Sequence, residues 1–249
     1  MVSLTAAPLS AEAPVSQPAI ANAPQTAAAI VQFQGVYKTY GNGCQALNNV
    51  NLAIPRGQFL FITGPSGSGK STLLKLLYGA ETVTDGQVIV DGMNLSELKG
   101  DRLSQLRRRI GVVFQDYKLI PRRTVQENVA FVLWAQGLNR REIYRRLQPA
   151  LKMVGLSHKA NCFPDELSGG EQQRVSVARA IVGTPPILLA DEPTGNLDGD
   201  NSIQVIKILK KLNSIGITVI VTSHDEHLIR QSNQPVVQLR DGQLVQRAF

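Results

Sequence analysis

The sequence has little of what disulfide-linked, metal-cluster or membrane-spanning proteins need. It contains two cysteines, Cys44 and Cys162, which are too few for a disulfide framework and suit a reducing compartment. No run approaches the roughly 18 consecutive apolar residues that a membrane span requires, and the N-terminus has no basic stretch followed by an apolar one. A hydrophobic content of 43% with 18% charged residues is ordinary for a globular protein. Composition therefore predicts a cytoplasmic globular protein.

The first 30 residues lack lysine and arginine altogether. They contain ten alanines, four prolines and a single acidic residue, Glu12. Prolines spread through alanine-rich, low-complexity sequence prevent a continuous helix and supply no core, and a transit peptide would need arginines. We therefore predict a flexible tail over residues 1–30 and one folded domain over residues 31–249.

The most informative stretch is a glycine-rich loop between a predicted strand, residues 59–63, and a predicted helix, residues 71–78. Its sequence fits the phosphate-loop pattern G-x-x-x-x-G-K-[ST], with the members Gly64, Pro65, Ser66, Gly67, Ser68, Gly69, Lys70, Ser71 and Thr72. Glycines let backbone N–H groups turn toward a phosphate, and the helix N-terminus adds positive potential. We expect Lys70 to reach the β- and γ-phosphates, Ser71 to bind Mg²⁺ and Thr72 to lie near the α-phosphate. A glycine-rich turn that binds nothing is the alternative, and the flanking strand and helix argue against it.

Polar residues follow three further predicted strands at the ends where α/β sheets hold ligands. They are Gln115 after residues 110–114, Asp191 and Glu192 after residues 186–190, and His224 after residues 217–223. We expect Asp191 to hold Mg²⁺ beside Ser71, and Glu192 to take a proton from water that attacks the γ-phosphate. The alternatives are a solvated turn for the two carboxylates and a surface or capping role for the histidine.

Two other features of the sequence could either contact a nucleotide or serve only the fold. Ser168, Gly169 and Gly170 open a predicted helix that runs to Ile181, which makes either a second anion-binding nest or a helix cap. Tyr40 ends a predicted hairpin ahead of the phosphate loop, where an aromatic ring either stacks on adenine or packs against neighbouring strands.

Positive charge is concentrated in one part of the chain. The net charge is +7, and residues 99–152 carry 13 basic residues against four acidic ones. Such an asymmetry indicates a surface that faces an anionic partner, either a lipid leaflet or nucleic acid. The alternative is a set of solvated helix faces with no partner.

These segments, in this order, resemble the ATP-binding-cassette (ABC) family over residues 31–249. The resemblance implies an α/β fold with a RecA-like, mostly parallel core sheet, an N-terminal antiparallel β subdomain and an inserted helical subdomain at about residues 115–185. It also implies ATP and Mg²⁺ as ligands and ATP hydrolysis to ADP and phosphate as the reaction.

By the same resemblance, two cassettes pair head to tail when ATP binds. The signature element of one copy, Ser168, Gly169, Gly170 and Gln172, then contacts the ATP on the phosphate loop of the other. Asp198 lies at the dimer contact, Gln115 is a further Mg²⁺ ligand, and Tyr40 stacks on adenine. His224 holds the γ-phosphate while Lys70 and Glu192 take part in hydrolysis.

Within the family, residues 114–116, 123–125, 128–130 and 191–198 are most similar to the cassettes of bacterial cell division. Those cassettes act beneath the membrane protein FtsX, which governs cell-wall hydrolases, so the resemblance implies an integral membrane partner docked on the helical subdomain at the inner face of the plasma membrane. Residues 117–120 depart from the expected pattern. The ATPase of a lipoprotein-releasing or macrolide-type exporter, a nucleic-acid-associated cassette and an inactive ATP-binding scaffold are the alternatives. The presence of Lys70, Asp191, Glu192 and His224 argues against the last.

Overall fold

The computed structural model describes residues 29–246, and most of the predicted tail lies outside them. Ala29 and Ile30, which sequence analysis placed in that tail, belong to the first strand, and Ile30 is buried. The first sheet is antiparallel and has the strand order β2-β1-β4-β5. Its strands are β1 (Ala29–Thr39), β2 (Gln45–Pro55), β4 (Asp85–Val90) and β5 (Met93–Asn94).

The second sheet has six strands in the order β10-β9-β3-β8-β7-β6. They are β3 (Phe59–Thr63), β6 (Ile110–Val113), β7 (Ile187–Asp191), β8 (Thr218–Thr222), β9 (Val236–Arg240) and β10 (Gln243–Gln246). All neighbours pair in parallel except β10, which runs antiparallel to β9. The carboxyl ends of β3, β6, β7 and β8 therefore meet along one edge, where the predicted site residues follow them.

Seven α-helices lie within residues 29–246: α1 (Lys70–Leu77), α2 (Asp101–Arg108), α3 (Val125–Ala135), α4 (Arg140–Met153), α5 (Gly169–Ile181), α6 (Gly199–Ser214) and α7 (Glu226–Ser232). Three short 3-10 helices cover Leu95–Glu97, Ser157–Lys159 and Pro164–Glu166. The segment predicted as a helical subdomain contains α3, α4 and α5, which share one hydrophobic core. Among the described residues, no helix combines the length and the apolar composition that crossing a membrane requires.

The six-stranded sheet has a core on each face because successive side chains of a strand point in opposite directions. Leu60, Ile62, Leu189 and Ile220 face α1 and the antiparallel sheet. Phe61, Leu188, Val219 and Val221 face the core shared with α3 to α6. This arrangement confirms the predicted α/β cassette, with the phosphate loop between β3 and α1.

Four elements after residue 198 were not predicted from the sequence: α6, α7, β9 and β10. Helix α6 carries a detectable signal, since its buried residues Val205, Ile206, Leu209 and Leu212 recur at helical spacing. Strands β9 and β10 extend the main sheet beyond β3, and the backbone oxygen of Leu239 on β9 lies against the phosphate loop. The C-terminal part of the chain therefore supports the site.

Candidate active site

The phosphate loop is held tightly between the two sheets. Gly64 and Gly69 have φ values of 151° and 105°, in the region that L side chains rarely adopt. A Cβ atom on Gly64 would clash with the backbone oxygen of Leu239, and one on Gly69 with that of Ala46. Glycine is therefore required here both for backbone conformation and for close packing. Residues 65–67 are exposed, which leaves the outer face of the loop open to a ligand.

Lys70 is the first residue of α1 and is buried, with 5% of its surface exposed. Its Nζ donates hydrogen bonds to the backbone oxygens of Gly64 at 2.9 Å and Pro65 at 3.1 Å. The same nitrogen lies 3.6 Å from Oε1 of Glu192. The structure thus brings together the lysine of the loop and the predicted general base.

The two carboxylates at the end of β7 are held by the neighbouring strand. The Thr222 hydroxyl donates to Oδ1 of Asp191 at 2.7 Å and accepts a hydrogen bond from the backbone N–H of Glu192 at 2.9 Å. The Ser71 hydroxyl donates to the same Asp191 oxygen at 3.3 Å. Sequence analysis paired Ser71 with Asp191 but missed Thr222, whose role depends on the parallel pairing of β7 with β8.

Glu192 has a left-handed backbone, with φ of 44°, which is rare for a residue with a side chain. Its carboxylate lies between the Lys70 ammonium and the His224 imidazole. Nδ1 of His224 lies 3.0 Å from Oε2 of Glu192. Strain of this kind costs about 1–3 kcal/mol and is typical of functional sites. The carboxylate is thereby fixed at the sheet edge beside the phosphate loop.

Gln115 follows β6 and lies beside the loop that leads to α6. Its side-chain nitrogen is 3.0 Å from the position that a Cβ atom on Gly195 would occupy, and its backbone oxygen accepts a hydrogen bond from Asn196 at 3.2 Å. Within residues 29–246 it makes no hydrogen bond to Ser71 or Asp191. Its role as a magnesium ligand stays a prediction.

The signature element forms the N-terminus of α5. Ser168 caps the helix: its hydroxyl accepts from the N–H of Glu171 at 3.3 Å, and its own N–H donates to the Glu171 carboxylate at 2.9 Å. The second of these bonds is the main reason why the pKa of Glu171 is lowered. Gln172 donates to the backbone oxygen of Leu167 at 3.2 Å. The serine is thus a helix cap, and its contact with a second copy's ATP remains a prediction.

The two signature glycines lie between close neighbours. A Cβ atom on Gly169 would lie 3.1 Å from the Tyr117 hydroxyl, and one on Gly170 would clash with the side-chain amide of Asn201. Asp198 caps α6 by accepting from the N–H of Asn201 at 2.8 Å. A side chain at position 170 would therefore force Asn201 to move, whereas one at position 169 would make only a tight contact with Tyr117. The signature element shares a polar cluster with the predicted dimer contact at Asp198.

Tyr40 follows β1 and stands beside the start of α1. Its hydroxyl lies 3.1 Å from the Thr72 hydroxyl, and Nζ of Lys38 lies 4.9 Å from the centre of its ring. The ring is half-buried next to the phosphate loop. Adenine stacking on Tyr40 stays a prediction.

The oxygen donors at this edge fit a magnesium–nucleotide ligand. Ser71 and Asp191 place a hydroxyl and a carboxylate within 3.3 Å of each other at the start of α1, and such hard oxygen ligands are those that Mg²⁺ prefers. The glycine cradle, which side chains would fill, lies immediately before them. The donor set therefore suits a metal bound together with a phosphorylated ligand.

Comparison with known proteins agrees with this geometry. The profile of the ABC transporter family matches residues 47–195. The chain is 45% identical over 216 residues to the cell division ATP-binding protein FtsE of Streptococcus pneumoniae, covering 87% of this chain and 94% of that protein. It is also 46% identical over 217 residues to FtsE of Mycobacterium tuberculosis, with 87% and 94% covered.

Solved structures of ABC transporter cassettes also match the chain. The bacterial ABC transporter cassette MJ0796, a dimer seen in one structure after hydrolysis with ADP and Pi bound, superposes with a TM-score of 0.79 at 41% identity. The match covers 88% of this chain and 100% of that one. The chain belongs to the ABC transporter family and is an ATPase cassette.

Proposed function

We propose that this ATPase pairs with a second copy on binding ATP and drives an FtsX-like membrane protein in bacterial cell division. The proposal that Glu192 is the base for ATP hydrolysis rests on its position between Lys70 and His224 at the phosphate loop. The cell-division part is supported by relatives named as cell division ATP-binding proteins at about 45% identity over most of their length.

Contacts support a role for each of the site residues except Gln115, whose role as a Mg²⁺ ligand comes from the family resemblance. Loop amides and Lys70 bind the phosphates, and His224 holds the γ-phosphate, as the family resemblance implies. Nδ1 of His224 also lies 3.0 Å from the carboxylate of Glu192, which accepts the proton of the attacking water. Ser71 and Asp191, with Gln115, would hold Mg²⁺, which when bound neutralises charge on the phosphates. Thr222 keeps the two carboxylates in place. Positioning and electrostatic stabilisation account for most of phosphoryl-transfer catalysis.

The membrane partner is proposed to dock on the helical subdomain. Phe131 and Trp134 lie on one face of α3 and are 47% and 43% exposed. The guanidinium of Arg123 lies 5.9 Å from the Trp134 ring. Exposed aromatics beside arginine are the composition of interaction hot spots. The protein would then sit on the cytoplasmic face of the plasma membrane, with the basic residues of 99–152 near anionic headgroups.

The hydrolytic proposal is tested with Glu192→Gln. The variant should bind ATP, stop multiple turnover and accumulate as an ATP-bound dimer detectable by light scattering. Glu97→Gln, an exposed glutamate on the first 3-10 helix, is the matched control and should behave as wild type. Multiple-turnover hydrolysis near the wild-type rate in Glu192→Gln contradicts the assignment of the base.

The partner is tested by purification from native membranes. The proposal predicts that an FtsX-like protein co-purifies with the wild type and is lost from Phe131→Ser and Trp134→Ser variants that still hydrolyse ATP. Recovery of lipoprotein-releasing or macrolide-type exporter subunits instead contradicts the cell-division role. Salt-sensitive binding to nucleic acid without membrane association contradicts the membrane role altogether.

A further inference from the structure

A broad apolar groove lies at the edge of the main sheet opposite the phosphate loop. Its volume is about 570 Å³, and its apolar lining includes Pro149, Met153, Ile181, Leu212, Ile215 and Ile217. The groove residues 184–186 and 215–217 precede strands β7 and β8, whereas the residues of the candidate active site follow those strands. The length of a five-residue strand, about 16 Å, therefore separates the groove from the site.

The groove leaves apolar surface open to solvent within residues 29–246. Ile215, just after α6, is 64% exposed, and Pro149 on α4 is also exposed. Met153 and Ile217 are partly exposed. A contiguous apolar patch of this kind on a globular protein marks an interaction site. The occupant of the groove should therefore carry apolar side chains.

Two polar features stand on the α4 side of the groove. Arg145 and Arg146 line it, and each pairs with Glu142 at 2.8 Å, so two guanidinium groups share one carboxylate and a positive charge is left over. The Arg145 side chain is 75% exposed. Pro149 lies inside α4 and has no backbone N–H, so the Arg145 carbonyl cannot accept the usual helical bond from that position. An occupant with a carboxylate and a backbone N–H at this end would fit both features.

The chain enters the fold close to the groove. Ala29, the first described residue, pairs with Pro55 at the end of β2. Two positions further, the N–H of Gly57 donates to the Thr218 hydroxyl at 2.9 Å, and its oxygen accepts from the Asn213 side chain on α6 at 2.8 Å. Position 218 directly follows the last groove residue. The chain that precedes β1 therefore starts within about 20 Å of the groove.

The sequence before β1 suits such an occupant. Residues 12–20 include Glu12, Pro14, Val15, Pro18 and Ile20. Glu12 is the single acidic residue before Ala29, and no lysine or arginine precedes Ala29. Proline favours an extended conformation of about 3.1 Å per residue, so the nine steps from Ala29 back to Ile20 span up to about 28 Å. This length is enough to reach the groove.

The order of these residues matches the order of the groove. Strand β8 pairs with β3, which β2 leads into, and β7 pairs with β8 on its other side. Helix α4 packs on α5 beyond them. Moving backward from Ala29, the chain would meet Ile215 first and Arg145 last, so Ile20 would arrive at the apolar end and Glu12 at the arginine end. A short tether gives an effective concentration on the order of millimolar, so even weak contacts would be populated.

We propose that residues 12–20 of this chain dock in the groove between α4 and α6, with Ile20 against Ile215 and Glu12 paired with Arg145. The docked segment covers the apolar surface at the edge of the sheet away from ATP. Breaking the contact should therefore change ATP hydrolysis by less than about twofold, because distant sites act independently.

Photo-crosslinking in the full chain tests the contact. Benzoyl-phenylalanine in place of Ala19 should crosslink within the same chain to residues 145–153 or 212–217, as mapped by mass spectrometry. Ile215→Asp puts a charge into the groove and should lower the crosslinking yield at least about fivefold. Val245→Asp, which changes another exposed apolar side chain outside the groove, is the matched control and should keep the yield.

A charge exchange tests the orientation of the segment. Glu12→Arg should lower the crosslinking yield about threefold, since it replaces an exposed ion pair by repulsion. Combining Glu12→Arg with Arg145→Glu should restore at least about half of the wild-type yield. An unchanged yield in Glu12→Arg, or no recovery in the double variant, overturns the orientation proposed here.

Other occupants of the groove give different results. Crosslinks that join isotope-labelled to unlabelled chains would show that a second copy supplies the segment, and they overturn the proposal. Crosslinks outside the groove, or a yield that Ile215→Asp leaves unchanged, overturn it as well and leave the groove to a partner protein. None of these measurements depends on ATP hydrolysis, so this proposal and the proposed function fail separately.

Discussion

Replacing Thr222 by valine tests whether one hydroxyl organises both carboxylates of the site. Threonine and valine have nearly the same shape, and Thr222 is fully buried. The substitution removes the 2.7 Å bond to Asp191 and leaves the backbone N–H of Glu192 without its 2.9 Å acceptor. A hydrogen bond to a charged group contributes about 1.5–3 kcal/mol, and an unsatisfied buried N–H costs about 1–3 kcal/mol. We expect a total loss of about 2.5–6 kcal/mol.

This loss is measurable in two ways. The melting temperature should fall by about 5–24 °C, since a chain of this size loses roughly 2–4 °C for each kcal/mol. The kcat should fall by about 10- to 100-fold, because a displacement of about 1 Å in a catalytic group has effects of that order. Thr222→Ser, which keeps the hydroxyl, should retain kcat within about threefold. A valine variant that matches the serine variant in both measurements would refute the reasoning.

Three further predictions concern the ends of the site. Gly170→Ala should lower the multiple-turnover rate by at least about tenfold without weakening ATP binding to the monomer, because the new methyl group displaces Asn201. Glu171→Gln should lower the free energy of unfolding by about 0.5–1 kcal/mol at pH 7 in urea titrations, since it weakens the helix cap. The pKa of Glu171 is lowered in the fold, so this difference should persist above the ordinary value of 4.5 and vanish as the pH falls through the folded-state pKa. Tyr40→Ala should weaken ATP binding by about tenfold in calorimetry, the amount expected for one stacked base.

Each of these has an outcome that contradicts it. Wild-type turnover in Gly170→Ala would mean that Asn201 gives way without moving the signature element. A stability difference for Glu171→Gln that grows as the pH is lowered would have the wrong sign for a depressed pKa. Unchanged affinity in Tyr40→Ala, compared with Tyr40→Phe, would show that the ring does not contact the base.

Local patterns made much of the site predictable. The phosphate loop lies where a buried strand meets a helix N-terminus, and both flanking elements have clear periodicity in the sequence. Asp191 and Glu192 come directly after four buried, apolar residues, 187–190, so their place at a strand end follows from the same reasoning. Each of these features is encoded within about ten consecutive residues, so it can be predicted without knowing any long-range contact.

Long-range pairs were not predictable in this way. In the sequence, Thr222 is one of several β-branched residues in a predicted buried strand. Only the pairing of β8 with β7 shows that it lies beside Asp191. The sequence predicts Arg179 as a surface residue of an amphipathic helix. Only the structure shows that its guanidinium donates to the backbone oxygens of Tyr117 and Lys118. The left-handed conformation of Glu192 likewise has no local signal, because a glutamate does not favour it.

Local sequence patterns were enough to identify the kind of ligand and the order of the elements that bind it, because glycine spacing, a buried strand and a helix start act over short distances. The folded chain was needed to show which groups contact each other: Thr222 with both carboxylates, Lys70 and His224 with Glu192, and Arg179 with the segment that carries Gln115. The physical reason is that hydrogen bonds act over about 3 Å, whereas the residues that make them here are about 30 to 120 positions apart in the chain, and only strand pairing and helix packing bring them within that distance.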